Sequence, residues 1–212
     1  MLISEIFFSI QGESTYAGLP CVFVRLSGCN LACNWCDTPY ARTNGNAKEM
    51  SVDAVIQEAG KYRCPLVEIT GGEPLIQPEA PALAKRLLDD GLRVLIETNG
   101  TIDLSCLDAG IVKIVDVKCP SSGHAGSFIM ENMKFITLED ELKFVIADRQ
   151  DYEFAKEFLE EFVRGQTAKV LFAPVQPALA PKELAEWMLR DRLCARLQLQ
   201  LHKYIWNDER GR

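Results

Sequence analysis

The segment Cys29-Asn30-Leu31-Ala32-Cys33-Asn34-Trp35-Cys36 places three thiols at Cys-x3-Cys-x2-Cys spacing. Looped around a point, it brings three sulfurs together, and thiolates prefer iron–sulfur clusters, zinc or copper(I). The number of ligands constrains the chain more than the identity of the metal. Structural zinc and ordinary electron-transfer clusters usually take four protein ligands. Three ligands leave one metal position open, and an open position is what a reaction needs. No His or further Cys follows closely enough to complete a compact zinc knuckle. On these residues alone, a reactive cluster, a structural zinc loop and three buried core thiols all remain open readings.

The rest of the composition narrows the class. A chain of 212 residues suits one domain, 1–212, and can bury a sizeable core. Its net charge of −7 lacks the basic footprint of a nucleic-acid binder. Met1 to Ile10 has no positive n-region and no long apolar run, so no signal peptide is expected. No stretch approaches transmembrane length. The expected compartment is the cytoplasm, with thiols reduced rather than paired. Cys21, Cys64, Cys106, Cys119 and Cys194 are scattered and read as small buried hydrophobes.

Periodicity gives alternating strands and helices. Met1–Phe8 alternates weakly as a short strand, and a polar loop follows from Ser9 to Thr15. Cys21–Leu26, Cys64–Thr70, Arg93–Thr98, Ile111–Val117, Glu141–Ala147 and Lys169–Val175 read as strands, with Leu197–His202 as a last one. Helices are expected from the Ser51 cap to Tyr62, over Pro81–Asp90, over Asp151–Arg164 and over Pro181–Leu193. This alternation implies a parallel sheet with right-handed crossovers. The chain is short for a closed eight-stranded barrel. The expected fold is therefore α/β, an incomplete, open TIM-like barrel of about six parallel strands. Polar motifs fall after the strands, on the edge that carries the site in such sheets.

Two of those motifs carry chemistry. Arg25 sits inside an apolar strand, and a buried Arg must be paired. It either pairs structurally or faces a ligand anion. Gly71-Gly72-Glu73-Pro74 follows the second strand. Its glycines let a ligand approach the backbone, and its carboxylate and carbonyls can hold an ammonium group, although alone it reads equally as a turn.

The cysteine trio followed by Gly-Gly-Glu-Pro resembles the signature of the radical S-adenosylmethionine (SAM) superfamily. Further blocks resemble the 7-carboxy-7-deazaguanine synthase family nearly end to end: Glu5 to Glu13, Gly18-Leu19-Pro20, Phe23 to Leu31, Cys36-Asp37-Thr38, Glu97 to Thr101, Asp116 to Gly123, Glu141 to Val145 and His202-Lys203-Tyr204. The resemblance implies a [4Fe-4S] cluster, SAM and Mg²⁺. It implies conversion of 6-carboxy-5,6,7,8-tetrahydropterin to 7-carboxy-7-deazaguanine with loss of ammonia, on the path to queuosine and other 7-deazapurines. In that family the radical derived from SAM abstracts hydrogen from the pterin, and SAM is regenerated.

Carried over residue by residue, the resemblance implies cluster ligation by Cys29, Cys33 and Cys36. It implies Mg²⁺ at Thr38, and substrate contacts from Ile10, Gln11, Gly12, Glu13, Arg25, Thr70 and His202. SAM would meet Trp35, Cys36, Asp37, Gly72, Glu73, Asp116, Val117, Lys118, Ala173, Pro174, Val175 and Gln176. Glu97 and Asn99 are further site residues with roles unassigned, and no catalytic side chain is assigned beyond the cofactor. The implied partners are the small-molecule pterin, an electron donor such as flavodoxin or ferredoxin, and a second copy of the chain, with neither nucleic acid nor membrane.

Local readings stand beside these. Thr70 and Thr98 also fit as β-formers at strand ends, Lys118 as a structural ion pair, and His202 as a satisfied core histidine. His124, in a Ser/Gly-rich loop, reads as exposed and non-catalytic. Ser14-Thr15 follows Gln11-Gly12-Glu13 where many members of the family have another glycine, and the tail from Ile205 to Arg212 aligns with nothing securely. Two other functions fit parts of the chain: a radical SAM activase that makes a glycyl radical on a partner protein, and a non-enzymatic, zinc-stabilised binding module.

Overall fold

A computed structural model describes residues 1–45, 47–163, 168–207 and 209–211. The strands are β1 (Leu2–Ile10), β2 (Pro20–Leu26), β3 (Lys48–Glu49), β4 (Leu66–Gly71), β5 (Arg93–Thr98), β6 (Val112–Asp116), β7 (Glu141–Ile146), β8 (Lys169–Pro174) and β9 (Arg196–Leu197). The helices are α1 (Val52–Gly60), α2 (Ala80–Asp89), α3 (Arg149–Phe158), α4 (Pro181–Asp191) and α5 (Leu201–Trp206). Among the described residues the strands form one sheet in the order β3-β1-β2-β4-β5-β6-β7-β8-β9. From β2 through β9 all neighbours are parallel, while β1 and β3 pair antiparallel at one edge. The sheet is not closed, because β3 and β9 are its two edges. The expected open α/β barrel is the fold observed, with β2 and β4–β8 as its six substantial parallel strands.

Strand parity divides the sheet into two faces. On β2, Val22, Val24 and Leu26 are wholly buried, while Phe23 and Arg25 line the interior cavity. On β4, Val67 and Ile69 lie in the core, while Glu68 and Thr70 line the cavity. The helices cover the apolar parity. Ser51 caps α1 by accepting a hydrogen bond from Ala54 N at 3.2 Å, and α1 buries Val55 and Ala59. Such a cap contributes about 1 kcal/mol. Asp148 caps α3 by accepting from Asp151 N at 2.9 Å.

Several boundaries differ from the sequence reading; β1, for example, runs on through Ser9 and Ile10, residues expected to open the loop. The helix expected from Asp151 begins at Arg149, because the side chain of Asp151 is occupied elsewhere and Asp148 is the cap; it continues as a π-helical turn over Leu159–Val163. Arg164, its expected end, lies outside the described residues. The last strand, expected over Leu197–His202, stops after Leu197. Gln198 N still donates to Phe172 O at 2.8 Å, but Leu199 and Gln200 turn away and α5 begins at Leu201. The alternation Leu197-Gln198-Leu199-Gln200-Leu201 mimics a strand, but an edge strand beyond β8 has only one neighbour to hold it, and Gln200 instead bonds Glu13 and Asp37. The two-residue β3 was not foreseen.

Candidate active site

The C-terminal ends of the parallel strands surround a cavity of about 520 Å³, within the usual range for ligand sites. The cysteine segment follows β2 directly and is gripped by two other strand-end loops. From the β6–β7 connection, Ser121 and Ser122 accept hydrogen bonds from Trp35 Nε1 (2.9 Å), Asn34 Nδ2 (3.0 Å) and Asn34 N (3.2 Å). His124 Nε2 accepts from Ala32 N at 3.0 Å. From the loop after β5, Thr101 Oγ1 accepts from Asn30 Nδ2 at 2.7 Å, and Asn99 Nδ2 donates to Asn30 Oδ1 at 3.0 Å. The reading of His124 as exposed is therefore corrected: it is half-buried, and its ring pins the segment that carries the thiols. The wholly buried Asp151 anchors this grip in turn by accepting from Ser121 N at 2.8 Å and from Ser121 Oγ.

Cys29, Cys33 and Cys36 all face the cavity, and none is disulfide-bonded. Burial raises the Cys29 and Cys33 thiols, while the Lys118 ammonium pulls the other way. No three His, Cys, Asp or Glu side chains among the described residues converge as the shell of a single metal ion.

The two glycines after β4 explain themselves sterically. A Cβ on Gly71, at φ +149°, would lie 2.2 Å from Leu26 O. One on Gly72 would lie 2.0 Å from Gly28 O and 2.8 Å from Cys29 Cβ. Only glycine lets this turn press against the cysteine loop and leave backbone open to the cavity. Across the cavity, Asp116 Oδ2 takes Lys118 Nζ at 2.6 Å, while its Oδ1 is buried without a hydrogen-bond partner. Lys118 also lies 5.3 Å from the Trp35 ring centroid. Its amine stays above the ordinary lysine range: burial opposes the charge, but Asp116 and the Cys33 thiol outweigh it. An orphaned acceptor, a glycine cradle and three thiols in one cavity fit a cluster with SAM beside it.

Glu73 and Val117 do not reach this cavity. The Glu73 carboxylate is wholly buried and accepts from Thr98 Oγ1 (2.8 Å), Asn99 N (2.7 Å) and Leu75 N (3.1 Å). It fastens the β5 loop behind Gly72 instead of facing a ligand, so its expected contact is corrected, and Thr98 is more than a β-former. Val117 points into the core and its N–H donates to Lys143 O at 2.9 Å. The other expected residues line the cavity: Ile10–Glu13, Arg25, Trp35–Thr38, Thr70, Gly72, Asp116, Lys118, Ala173–Gln176 and His202. Thr38 Oγ1 stands 4.0 Å from Cys36 Sγ.

At the other end of the cavity is an ionic cluster. Lys143 Nζ lies 2.5 Å from Glu13 Oε2 and 2.8 Å from Glu97 Oε1, and Thr70 Oγ1 donates to Glu97 Oε2 at 3.2 Å. Burial opposes the Lys143 charge, but Glu13, Glu97 and Asp116 hold its amine well above the usual value. Lys143 in turn holds the Glu97 carboxyl below its usual value against burial. Arg25 Nε donates to Glu5 Oε1 at 2.8 Å, and the Tyr40 hydroxyl donates to the same oxygen at 2.7 Å. Arg210 lies over the Tyr40 ring, 3.4 Å from its centroid. Burial lowers the His202 imidazole, with Glu13 and Asp37 opposing.

Sequence reasoning gave no role to Glu5, Tyr40, Glu68, Lys143, Gln200 or Arg210. For Glu68 and Lys143 a signal existed: like Arg25, each is a charge flanked on both sides by apolar residues inside a parallel strand. Gln200 and Arg210 carry no such mark.

The description "Radical SAM superfamily" matches residues 23–190 of the chain. The 7-carboxy-7-deazaguanine synthase of Koribacter versatilis is 46% identical, with 99% of this chain and 98% of that protein aligned. The protein of the same name from Chlorobaculum tepidum is 45% identical over 99% of this chain and 96% of its own. Among solved structures, QueE from Escherichia coli superposes with a TM-score of 0.77 at 24% identity, covering 95% of this chain and 94% of that one, which is a likeness of fold.

Proposed function

Because the chain belongs to the 7-carboxy-7-deazaguanine synthase family of the radical SAM superfamily, we propose that the cavity at the strand ends holds cluster and SAM at the cysteine end and the pterin at the Arg25–Lys143 end. The activity itself is that of a radical SAM carbon–nitrogen lyase of queuosine and 7-deazapurine biosynthesis, forming 7-carboxy-7-deazaguanine from 6-carboxy-5,6,7,8-tetrahydropterin with loss of ammonia. When bound, the cluster and SAM supply the electron and the hydrogen-abstracting radical. Cys29, Cys33 and Cys36 would hold the cluster. Gly72, Asp116, Lys118 and Trp35 would border SAM, with Ala173–Gln176 opposite.

The observation that carries the substrate half is the state of Arg25. Its Nε is occupied by Glu5, which orients the guanidinium and leaves the terminal nitrogens for a carboxylate. The pterin carries a carboxylate at the carbon that reacts, so pairing there fixes that carbon relative to the thiol end. The 11–13 segment and the start of α5 exclude water along the open side of the sheet: Leu201 N donates to Gly12 O at 2.8 Å, and Gln200 Nε2 to Glu13 Oε1 at 2.9 Å. Thr38 would offer its hydroxyl to Mg²⁺, a hard cation that takes oxygen ligands and is bound largely through substrate and water oxygens.

Residues 1–212 act as one domain, in a cytoplasmic homodimer reduced by a flavodoxin or ferredoxin. Among the described residues no helix is long and apolar enough to cross a membrane.

The test is a product assay. Protein purified without oxygen, with its cluster rebuilt, receives reductant, SAM, Mg²⁺ and 6-carboxytetrahydropterin. The expected result is 7-carboxy-7-deazaguanine with SAM undepleted and with turnover rising on Mg²⁺ titration. Accumulation of 5′-deoxyadenosine alone would favour the activase.

A further inference from the structure

Of the buried acids that line the cavity, the mechanism above leaves Glu68 unused. Glu68 sits on β4, two residues before Thr70 and on the same face, and is only 4% exposed. A buried carboxylate needs a cation or must give up its charge. The nearest cations are already engaged, Lys143 by Glu13 and Glu97 and Arg25 by Glu5.

The hydrogen-bond partner of Glu68 is Gln11, whose Nε2 donates to Glu68 Oε2. The direction of that amide is set independently, because Gln11 Oε1 accepts from Glu13 N at 2.9 Å. The Gln11 backbone is pinched by Gln11 N→Leu19 O and Gly18 N→Gln11 O, both 2.8 Å. Its side chain is therefore the route by which the barrel interior fixes the turn from residue 11 to residue 13. The next residues on that route are Gly12, against His202, and Glu13, against Lys143.

We infer that Glu68 is a positioning residue that works as a neutral acid, holding Gln11 and through it the 11–13 wall of the substrate site. This rests on the reading of that wall as the substrate side of the cavity. The groups facing Glu68 fit a neutral acid. Burial acts first, and Glu97 on β5 and Glu13 on the turn add to it, outweighing Lys143 on β7 and Arg25 on β2. The Cys21 thiol on β2 is pushed up by its own burial and brings no cation to Glu68. A neutral carboxyl still accepts from Gln11 Nε2 through its carbonyl oxygen and keeps an O–H donor for the cavity.

The experiment compares Glu68→Gln with Glu68→Leu. The amide copies the shape and neutrality of the acid, whereas leucine leaves Gln11 Nε2 buried without an acceptor. Glu68→Gln should keep kcat and KM within about twofold of the wild type. Glu68→Leu should raise KM about tenfold with kcat and iron content unchanged, a loss of the size expected for one buried hydrogen bond. Amide hydrogen exchange in the substrate-free protein reads the same device without turnover. The Glu13 N–H should exchange about tenfold faster in Glu68→Leu and at the wild-type rate in Glu68→Gln. The exchange result stands even if the wild type turns over no pterin, an outcome that would sink the substrate assignment alone. The inference is overturned if Glu68→Gln is as impaired as Glu68→Leu, since charge would then be required. It is equally overturned if Glu68→Leu leaves both KM and Glu13 exchange unchanged. Should Glu68→Leu not fold, Glu68→Gln decides alone by the same two readouts.

Discussion

Gly12 and His202 touch across the open side of the sheet: a methyl group on Gly12 would lie 2.1 Å from His202 Nδ1 and 2.9 Å from the His202 backbone nitrogen. The two residues are 190 positions apart in the chain. They meet because neither sheet edge continues around to close the barrel, and the turn after β1 and the start of α5 fill the gap instead. Gly12 has no positive φ, so the requirement for glycine is one of space.

Gly12→Ala should therefore act on the site more than on the fold. The clash is partly with backbone, so one segment must move by several tenths of an ångström. Displacement of that order near reacting groups costs up to about 10²-fold in rate. Steady-state kinetics should show kcat/KM reduced about 10- to 100-fold, with the iron content of the wild type. Unchanged kinetics would mean that the contact does not shape the working site.

Arg25→Ala removes the guanidinium that faces the cavity. It should raise KM for the pterin by about 10- to 100-fold, the range of one charged hydrogen bond, while retaining the cluster. Glu5→Ala, which only frees Arg25 Nε and the Tyr40 hydroxyl, should cause a smaller rise. Loss of iron from Arg25→Ala, measured against the wild type by metal analysis, would make Arg25 structural.

His124→Ala withdraws the acceptor from Ala32 N. The cysteine loop keeps its Ser121, Ser122 and Thr101 contacts, so the chain should fold. Chelator-driven loss of iron, followed by absorbance, should run several-fold faster than in the wild type. The wild-type rate would return His124 to the role of a bystander.

Stability rests partly on a buried ion pair away from the site. Lys113 Nζ lies 3.1 Å from Asp140 Oδ2, with the two side chains 2% and 1% exposed. Asp140 also accepts from Lys113 N, Thr137 N and Thr137 Oγ1. Asp140→Ala strands a buried ammonium, which costs about 3–5 kcal/mol. Urea unfolding should show that loss as a lower midpoint at an unchanged slope.

The pH dependence of stability has a definite sign. Burial raises the Glu68, Glu73 and Glu141 carboxyls. The folded chain then holds protons that the unfolded chain gives up near pH 4.3. Stability from these groups is complete below that value and is lost as pH rises through the raised folded values. Urea midpoints between pH 5 and pH 8 should fall less steeply in Glu68→Gln than in the wild type. An equal slope would mean that Glu68 is ionised in the folded protein.

Some of this was readable in the sequence because it is local. The thiol spacing, the paired glycines after β4 and the charge of Arg25 in an apolar strand are patterns within a few residues, and backbone geometry turns each into a position. Strand and helix alternation placed these motifs on one edge of an open parallel sheet. The tertiary structure decided the rest, because a side chain's partner is a matter of distance in space. Glu73 belongs to a ligand-binding motif, yet Thr98 and Asn99 from the next strand end claim its carboxylate. Residues 198–200 alternate like a strand, yet Glu13 and Asp37 draw Gln200 out of the sheet. His124 reads as exposed in its loop, yet folding half-buries it and brings Ala32 N to its ring. A sequence states which groups carry hydrogen-bonding capacity and charge. Which of them are used up within the fold, and which are left facing the cavity, is settled only when distant segments pack and every buried donor and acceptor must find a partner.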